Sequence, residues 1–291
     1  MACRKYSHGL LIRVARRRYP VGRELYYENE TLIRTGMSTS TTTVRGTIGG
    51  MARAANPTFA VAVVFLPIAA FGYAQTVGTT TQHTFVHVMT GVLWTGVDIF
   101  MGLVIGPVIG GLDEESASQF FQRFTPKSAF LLPTIATVAI FTGITLAVRT
   151  ELLPSPNAWL ALFTLGNLSG ALLLIGWQFG AWRDWRWLIP FSVSLVGSAA
   201  WVVLTIGGLE LPGPAILAAL GIVTVLNLQG FGVILPGEIR VYMEMNAADT
   251  DPALIQRIGQ RNAKLAGVQG TFQFLIIVVM VYLRYGEFPF F

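Results

Sequence analysis

The chain has 291 residues, 53% of them hydrophobic and only 12% charged, and its mean hydropathy of +0.59 is too high for a soluble domain of this length. Its net charge of +5 does not indicate nucleic-acid binding, because residues 1–36 hold eight Arg and Lys against three acidic residues and the rest of the chain is balanced. The composition excludes a soluble globular protein and predicts a polytopic protein of the lipid bilayer.

Residues 1–56 are predicted to form a disordered, basic and polar N-terminal tail. The run Arg16–Arg18 is followed by no apolar segment, which argues against a cleaved secretory signal. Two interpretations stay open: an upstream extension of the reading frame, with Met37 as the natural start, or a disordered arm that contacts anionic lipid. The single cysteine, Cys3, lies in this tail, so neither an intrachain disulfide nor a cysteine metal site is expected.

Residues 57–291 are predicted to form a transmembrane helical domain. A run of about 20 apolar residues is long enough to cross a bilayer as a helix. Seven such runs occur: Thr58–Gln75, Thr84–Ile109, Ser128–Val148, Ala158–Ala181, Leu188–Leu209, Pro214–Leu235 and Leu265–Leu283. Alternation with a period of two, the pattern of membrane β-barrels, is absent. The predicted fold is all-α, a polytopic integral membrane bundle of about seven transmembrane helices.

Basic residues indicate the orientation of the bundle. From Met37 onward, the segments before the first span and after the second, fourth and sixth spans contain ten Arg and Lys, whereas the other side has two, Arg149 and Arg284. The positive-inside rule places the N-terminus inside and the C-terminus outside, as an odd number of spans requires. Three Lys against seventeen Arg is typical of a GC-rich prokaryotic genome and predicts a prokaryotic plasma membrane.

Two connections carry local signals. The segment LDEESASQFFQRFTPKS at residues 112–128 predicts either a short interfacial helix or a solvated connector between the second and third spans. Before the last span, Asp251 followed by Pro252 is typical of a helix start. We expect that helix to run without a break into the seventh span.

The second span carries the most chemistry. His87, Gly91, Trp94, Asp98 and Met101 fall on one stripe of the helix at 100° per residue. A carboxylate at membrane depth costs about 2.5 kcal/mol or more, so Asp98 is a candidate proton or ion site. The stripe is therefore predicted to point into the bundle or into a wet cavity.

The two histidines of this span are candidate ligands. His83 and His87 lie one helical turn apart, and this pair could chelate copper through two imidazoles. Alternatively, one of them could bind haem b, with Trp94 as part of the same cofactor site. A single helix face cannot supply both axial ligands of one haem, and the only other histidine, His8, lies in the tail. The remaining alternative is that both histidines only hydrogen-bond headgroups or neighbouring helices.

Amide side chains in the spans have two interpretations. They either hydrogen-bond neighbouring helices or line a polar route together with Asp98. They are Asn167, Gln178, Asn227, Gln229, Gln269 and Gln273. Glycines at four-residue spacing, such as Gly102 and Gly106, predict close packing of helices. No phosphate-binding loop, nucleophile elbow or pair of intramembrane carboxylates is evident, so neither NTP-driven transport nor hydrolysis is indicated.

The segment HVMTGVLWTG at residues 87–96 resembles the start of a helix in copper-resistance D-like proteins and in the membrane domain of bacterial cytochrome-linked urate oxidases. The segments NLQGFGVILP, Asn227–Pro236, and DPALIQRIGQRN, Asp251–Asn262, are similar to the second half of the urate-oxidase domain. The resemblance implies a multi-helix bundle associated with metal, haem or electron transfer, and His87 is the position it carries over. The chain has no CxxCH motif, so urate oxidation is not implied.

Two functional classes follow. In the first, the protein is a redox or copper-handling component that binds copper or haem at His87, with or without His83, near the outer face. In the second, it is a small-solute, ion-coupled or proton-coupled transporter centred on Asp98. A structural subunit of a membrane complex is a third possibility. Other membrane subunits or a second copy of the chain are expected partners, besides the bilayer.

Overall fold

The computed structural model describes residues 44–287, and every regular element within them is a helix. A first helix, α1, covers Val44–Ala55. Seven further helices are long and apolar enough to cross a membrane: α2 Pro57–Thr76, α3 Thr80–Gly110, α4 Glu114–Arg149, α5 Pro156–Phe179, α6 Trp185–Gly208, α7 Pro214–Met245 and α8 Pro252–Tyr285. The all-α fold and the seven spans are confirmed. Most of the predicted tail lies outside the described residues, so the domain boundary at residue 57 stays a prediction.

Side-chain caps begin several of these helices. Asp251 accepts a hydrogen bond of 3.1 Å from the backbone N–H of Leu254, and α8 then continues unbroken to Tyr285, as predicted. Asp113 caps α4 by accepting the backbone N–H and the hydroxyl of Ser116, at 2.9 and 2.7 Å. These hydrogen bonds hold the pKa of the Asp113 carboxyl below its usual value.

The segment at residues 112–128 is helical from Glu114, so the prediction of a solvated connector was wrong and that of a helix is confirmed, although the helix is not a separate short one. It is the first part of α4, which continues through Pro126 and Pro133 because neighbouring helices cover it. Phe121 is buried in a cluster that includes Val241 and Ile255. A Cβ added to Gly259 would lie 2.1 Å from the Phe121 ring, so the phenylalanine packs directly on the α8 backbone. The apolar face of the segment at residues 112–128 therefore contacts protein rather than lipid.

Glycine allows α3 and α8 to cross in direct backbone contact. A Cβ added to Gly102 would lie 2.2 Å from the Cα of Gly267. The predicted close packing is thus confirmed at this position. The crossing sets α8 against the same stretch of α3 that carries Asp98, and it fixes which side chains of the two helices meet.

Three of the spans contain a π turn. These turns are Met101–Ile105 in α3, Leu165–Ser169 in α5 and Gly230–Ile234 in α7. A π turn winds more widely than an α-helix and shifts N–H groups away from their usual carbonyl partners, and such turns recur at functional sites. The turns in α3 and α7 lie beside the same internal cavity.

The connections define the two ends of the bundle. At one end, Gln256 of α8 donates to the backbone of Leu112 between α3 and α4. At the other end, Arg149 of α4 donates to the carbonyls of Ala74 and Gly78. The first is called the basic end here, because the connections there hold most of the Arg and Lys. Its cytoplasmic location stays a prediction.

Candidate functional site

Asp98 points into the bundle, as its stripe predicted. It is 2% exposed and lies three residues before the π turn of α3. Its Oδ2 accepts a hydrogen bond of 2.8 Å from Nε2 of Gln273 on α8. Trp94, one turn earlier on α3, is also buried and approaches the same carboxylate. The oxygen of the same Gln273 amide, Oε1, is buried without a hydrogen-bond partner.

A second buried carboxylate, Glu238 on α7, was missed in the sequence. It is 8% exposed, and its two oxygens accept hydrogen bonds from Asn262 Nδ2 at 3.0 Å and from Ser128 Oγ at 3.3 Å. The predicted sixth span, an apolar run, ended at Leu235. In the structure the helix instead continues to Met245. The available signal was that Glu238 is the only acidic residue between Glu210 and Glu244.

A stripe of amides on α8 connects the two carboxylates. Asn262, Gln269 and Gln273 are seven and four residues apart, which places them on one face of the helix. Asn262 binds Glu238 and Gln273 binds Asp98. The two amides are eleven residues apart, or about 16 Å at 1.5 Å per residue. The two carboxylates are therefore bound by amides three helical turns apart on α8.

One internal cavity of about 50 Å³ is lined by both carboxylates. Four helices, α3, α4, α7 and α8, contribute its walls, and Gln269 lines it between the two acids. A water molecule requires about 10–15 Å³, so the cavity has room for a few water molecules. Most of its other wall residues are apolar, among them Trp94, Met101, Phe124, Leu132, Phe231 and Ile234.

No basic side chain of the described residues balances the two acids. The cavity lining contains no Lys, Arg or His. The groups that act on Asp98 are Gln273 and Trp94, and those that act on Glu238 are Asn262, Thr125 and Ser128. An isolated negative charge in a medium of low dielectric constant is costly. Each carboxylate must therefore take up a proton or a cation.

The predicted polar residues donate hydrogen bonds between helices. Gln269 Nε2 donates to Leu226 O at 2.8 Å, and Gln229 Nε2 donates to Leu265 O at 3.0 Å. Others bind backbone carbonyls inside π turns: Asn227 donates to Asn167 O and Gln178 to Gly232 O. Asn262, which was not among the predicted residues, donates to Ile234 O in the same way. Amides thus satisfy carbonyls where the winding is irregular. Of the six amide residues predicted to line a polar route, only Gln269 lines the cavity.

Both histidines of α3 bind α4. His87 Nδ1 lies 3.0 Å from Ala139 O, and because a carbonyl only accepts, Nδ1 carries the proton. His83 is fully buried, with Nε2 3.1 Å from Thr145 Oγ1 and Nδ1 without a hydrogen-bond partner. The His87 ring lies on Gly143, where a Cβ would be 2.7 Å from its Cε1. Through these contacts, both imidazoles link α3 to α4.

The structure does not bring the histidines and Trp94 together in one cavity. Trp94 lines the cavity, and neither histidine does. Among residues 44–287, no group of three or more His, Cys, Asp or Glu is placed to hold a metal. Binding of copper or haem at His83 and His87 stays a prediction.

Comparisons of the chain with protein-family profiles, with curated proteins and with solved structures give no match. The resemblance at residues 87–96 therefore rests on its short motif alone.

Proposed function

We propose that this multi-pass membrane protein is a proton-coupled or cation-coupled transporter of a small solute or ion, with Asp98 as the coupling site. The observation that carries the proposal is the cavity lined by Asp98 and Glu238 without any basic counter-charge. Ionisable residues that face the interior of a membrane bundle commonly form ion pathways and proton relays. The amide stripe of α8 and a few water molecules supply the polar surface between the two acids.

Coupling follows from the cost of leaving Asp98 charged and unpaired. With a proton or cation bound, the site is close to neutral, and the helices can close around it. After release, the bare charge favours an arrangement that admits water. An equilibrium between two arrangements then depends on the bound ion, which is what coupled transport requires. Two π turns lie next to the cavity, Met101–Ile105 and Gly230–Ile234. At these irregular points the backbone of α3 and α7 can change conformation.

The test is ion flux in proteoliposomes that contain a trapped pH-sensitive or cation-sensitive dye. A potassium gradient with valinomycin sets the membrane potential, and protein-free vesicles give the background leak. We expect the wild-type protein to exceed the leak and Asp98→Asn to abolish the excess. Asp249→Asn, the same change at an exposed loop residue, is the matched control and keeps the flux. A wild-type flux equal to the leak, or an unaltered flux in Asp98→Asn, overturns the proposal.

A redox or copper-handling role is the alternative, and one observation favours it. The hydrogen bond from His87 Nδ1 to Ala139 O leaves Nε2 as an acceptor, and a metal-binding histidine is usually oriented by a bond of this kind. His83, one turn away, also keeps an unpartnered nitrogen, Nδ1. The missing third ligand places this role second to transport. Its test is the metal content and absorption spectrum of the purified protein.

A further inference from the structure

We infer that Glu238, Asn262 and Ser128 form a binding site for a monovalent alkali cation, separate from Asp98 and nearer the basic end of the bundle. Glu238 lies seven residues before the end of α7 and is bound by Asn262 of α8. Asp98 is bound by Gln273, three turns further along α8. The inference rests on the proposed function, because the bound cation would be the coupling ion of the transporter. Binding can nevertheless be measured without transport.

The amide of Asn262 is held in one orientation, with its oxygen facing no donor. Its Nδ2 donates to Ile234 O at 3.1 Å and to Glu238 Oε1 at 3.0 Å, which uses both amide hydrogens. The assignment of nitrogen and oxygen is therefore fixed by the hydrogen bonds. Oδ1 is buried without a partner, in a side chain that is 3% exposed and lines the cavity.

The carboxylate of Glu238 also has free acceptor capacity. A carboxylate has about four lone-pair positions, and the hydrogen bonds from Asn262 and Ser128 use two of them. A water molecule could bind Asn262 Oδ1 while a proton neutralises Glu238, but these are two separate species. A single cation satisfies both the oxygen and the charge, since it accepts lone pairs from each.

The ligand set selects the class of cation. All its donors are oxygens of a carboxylate, an amide and a hydroxyl, which suit a hard cation rather than copper or zinc. A single carboxylate balances one positive charge, and Asp98 is bound by Gln273, about 16 Å further along α8 than Asn262. A divalent ion would keep an uncompensated charge in the bundle. Oxygen sites at irregular helix turns are also where membrane transporters hold sodium ions.

Gly237 makes room for the site. A Cβ added at this position would lie 2.6 Å from both Nδ2 and Oδ1 of Asn262. Only glycine allows the amide to approach Glu238 in this way, and a larger residue would displace the amide without removing any ligand. Gly221, on the same helix, has no atom within 4 Å of its added Cβ and provides a matched control.

The experiment measures thermal unfolding of the purified full-length protein in detergent, by tryptophan fluorescence, in sodium chloride and in choline chloride of equal ionic strength. An alkaline buffer limits competition by protons. A ligand that binds only the folded state raises the unfolding temperature as its concentration exceeds its dissociation constant. We expect a saturable rise with sodium for the wild type. Glu238→Gln should abolish it, and Asn262→Ala and Gly237→Ala should weaken the apparent sodium affinity about tenfold or more.

Two control variants should keep the sodium response: Glu114→Gln, at an exposed glutamate, and Gly221→Ala. If Glu238→Gln fails to fold, Asn262→Ala and Gly237→Ala decide the outcome. A wild type that does not respond to sodium, or a Glu238→Gln variant that responds like the wild type, overturns the inference. If the sodium response depends on Glu238 while ion flux does not depend on Asp98, the proposed function fails and the cation site stands. If ion flux depends on Asp98 while the sodium response does not depend on Glu238, the cation site fails and the proposed function stands.

Discussion

Gln273 and Asp98, 175 residues apart in sequence, form a hydrogen bond of 2.8 Å inside the bundle. The amide lies on the last helix and the carboxylate on the second span, so the bond joins α8 to α3 next to the Gly102–Gly267 crossing. It is the shortest described link between a buried acid and the amide stripe. The contribution of this hydrogen bond to the free energy of unfolding therefore measures how strongly Gln273 binds the proposed coupling site.

The first prediction concerns this hydrogen bond. Gln273→Leu keeps a similar volume but removes the donor, and it should lower the free energy of unfolding by about 1–3 kcal/mol, because a buried acceptor loses its partner. In the Asp98→Asn background the same change should cost less, and a double-mutant cycle of unfolding measures the difference. Gln260→Leu, at a half-buried position on α8, is the control. Additive effects of the two changes would show that the pair does not interact.

A second prediction concerns the packing of the His87 ring on Gly143. Gly143→Ala would place a Cβ 2.7 Å from the ring and displace it from Ala139 O. The cost of such overpacking is about 1–3 kcal/mol of unfolding free energy. Gly91→Ala, on α3 with no atom within 4 Å of the added Cβ, should be neutral or slightly stabilising, because alanine favours the helix. Equal behaviour of the two variants in thermal unfolding would contradict this packing.

The third prediction concerns the crossing of α3 and α8. Gly102→Ala would bring a Cβ to 2.2 Å from the Cα of Gly267, and backbone atoms cannot rotate away as a side chain can. We expect a loss of about 3 kcal/mol, the upper end of the usual cost of overpacking. Gly110→Ala, further along α3 with open space at its Cβ, should leave the unfolding temperature unchanged. A stable Gly102→Ala variant would mean that the helices cross elsewhere.

The sequence predicted features that depend on one helix and missed those that depend on several. The inward stripe of Trp94 and Asp98 and the start of α8 at Pro252 follow from helical periodicity and capping, and both are present. Glu238 was missed because it lies beyond the apolar run that defined the sixth span, Pro214–Leu235. Only contacts with α8 show that α7 continues past it. The burial of Phe121 likewise depends on Gly259, more than a hundred residues away.

The fourth prediction separates the histidine interpretations. If the two rings only link α3 to α4, the purified protein should contain neither stoichiometric copper nor a haem absorption band. His87→Ala should then reduce stability alone. If His87 is a ligand, His87→Ala should remove most of the bound metal or haem. His83→Ala should weaken a copper chelate comparably but affect haem binding only slightly. Metal analysis and an absorption spectrum of the three proteins are sufficient, and a coloured or copper-loaded wild type contradicts a purely structural role.

The fifth prediction concerns orientation and rests on the ten-to-two distribution of basic residues. With Cys3 replaced by serine, single cysteines at the exposed positions Thr80 and Glu287 should react with an impermeant thiol reagent added to intact cells. Single cysteines at Glu114 and Ala248, exposed at the basic end, should react only after the membrane is permeabilised. All four positions should react in detergent, which controls for accessibility. The expected pattern places the Glu238 site toward the cytoplasm and the histidines toward the outer face. The reverse pattern would place Glu238 toward the outside, and the proposed cation site would then face the external sodium pool.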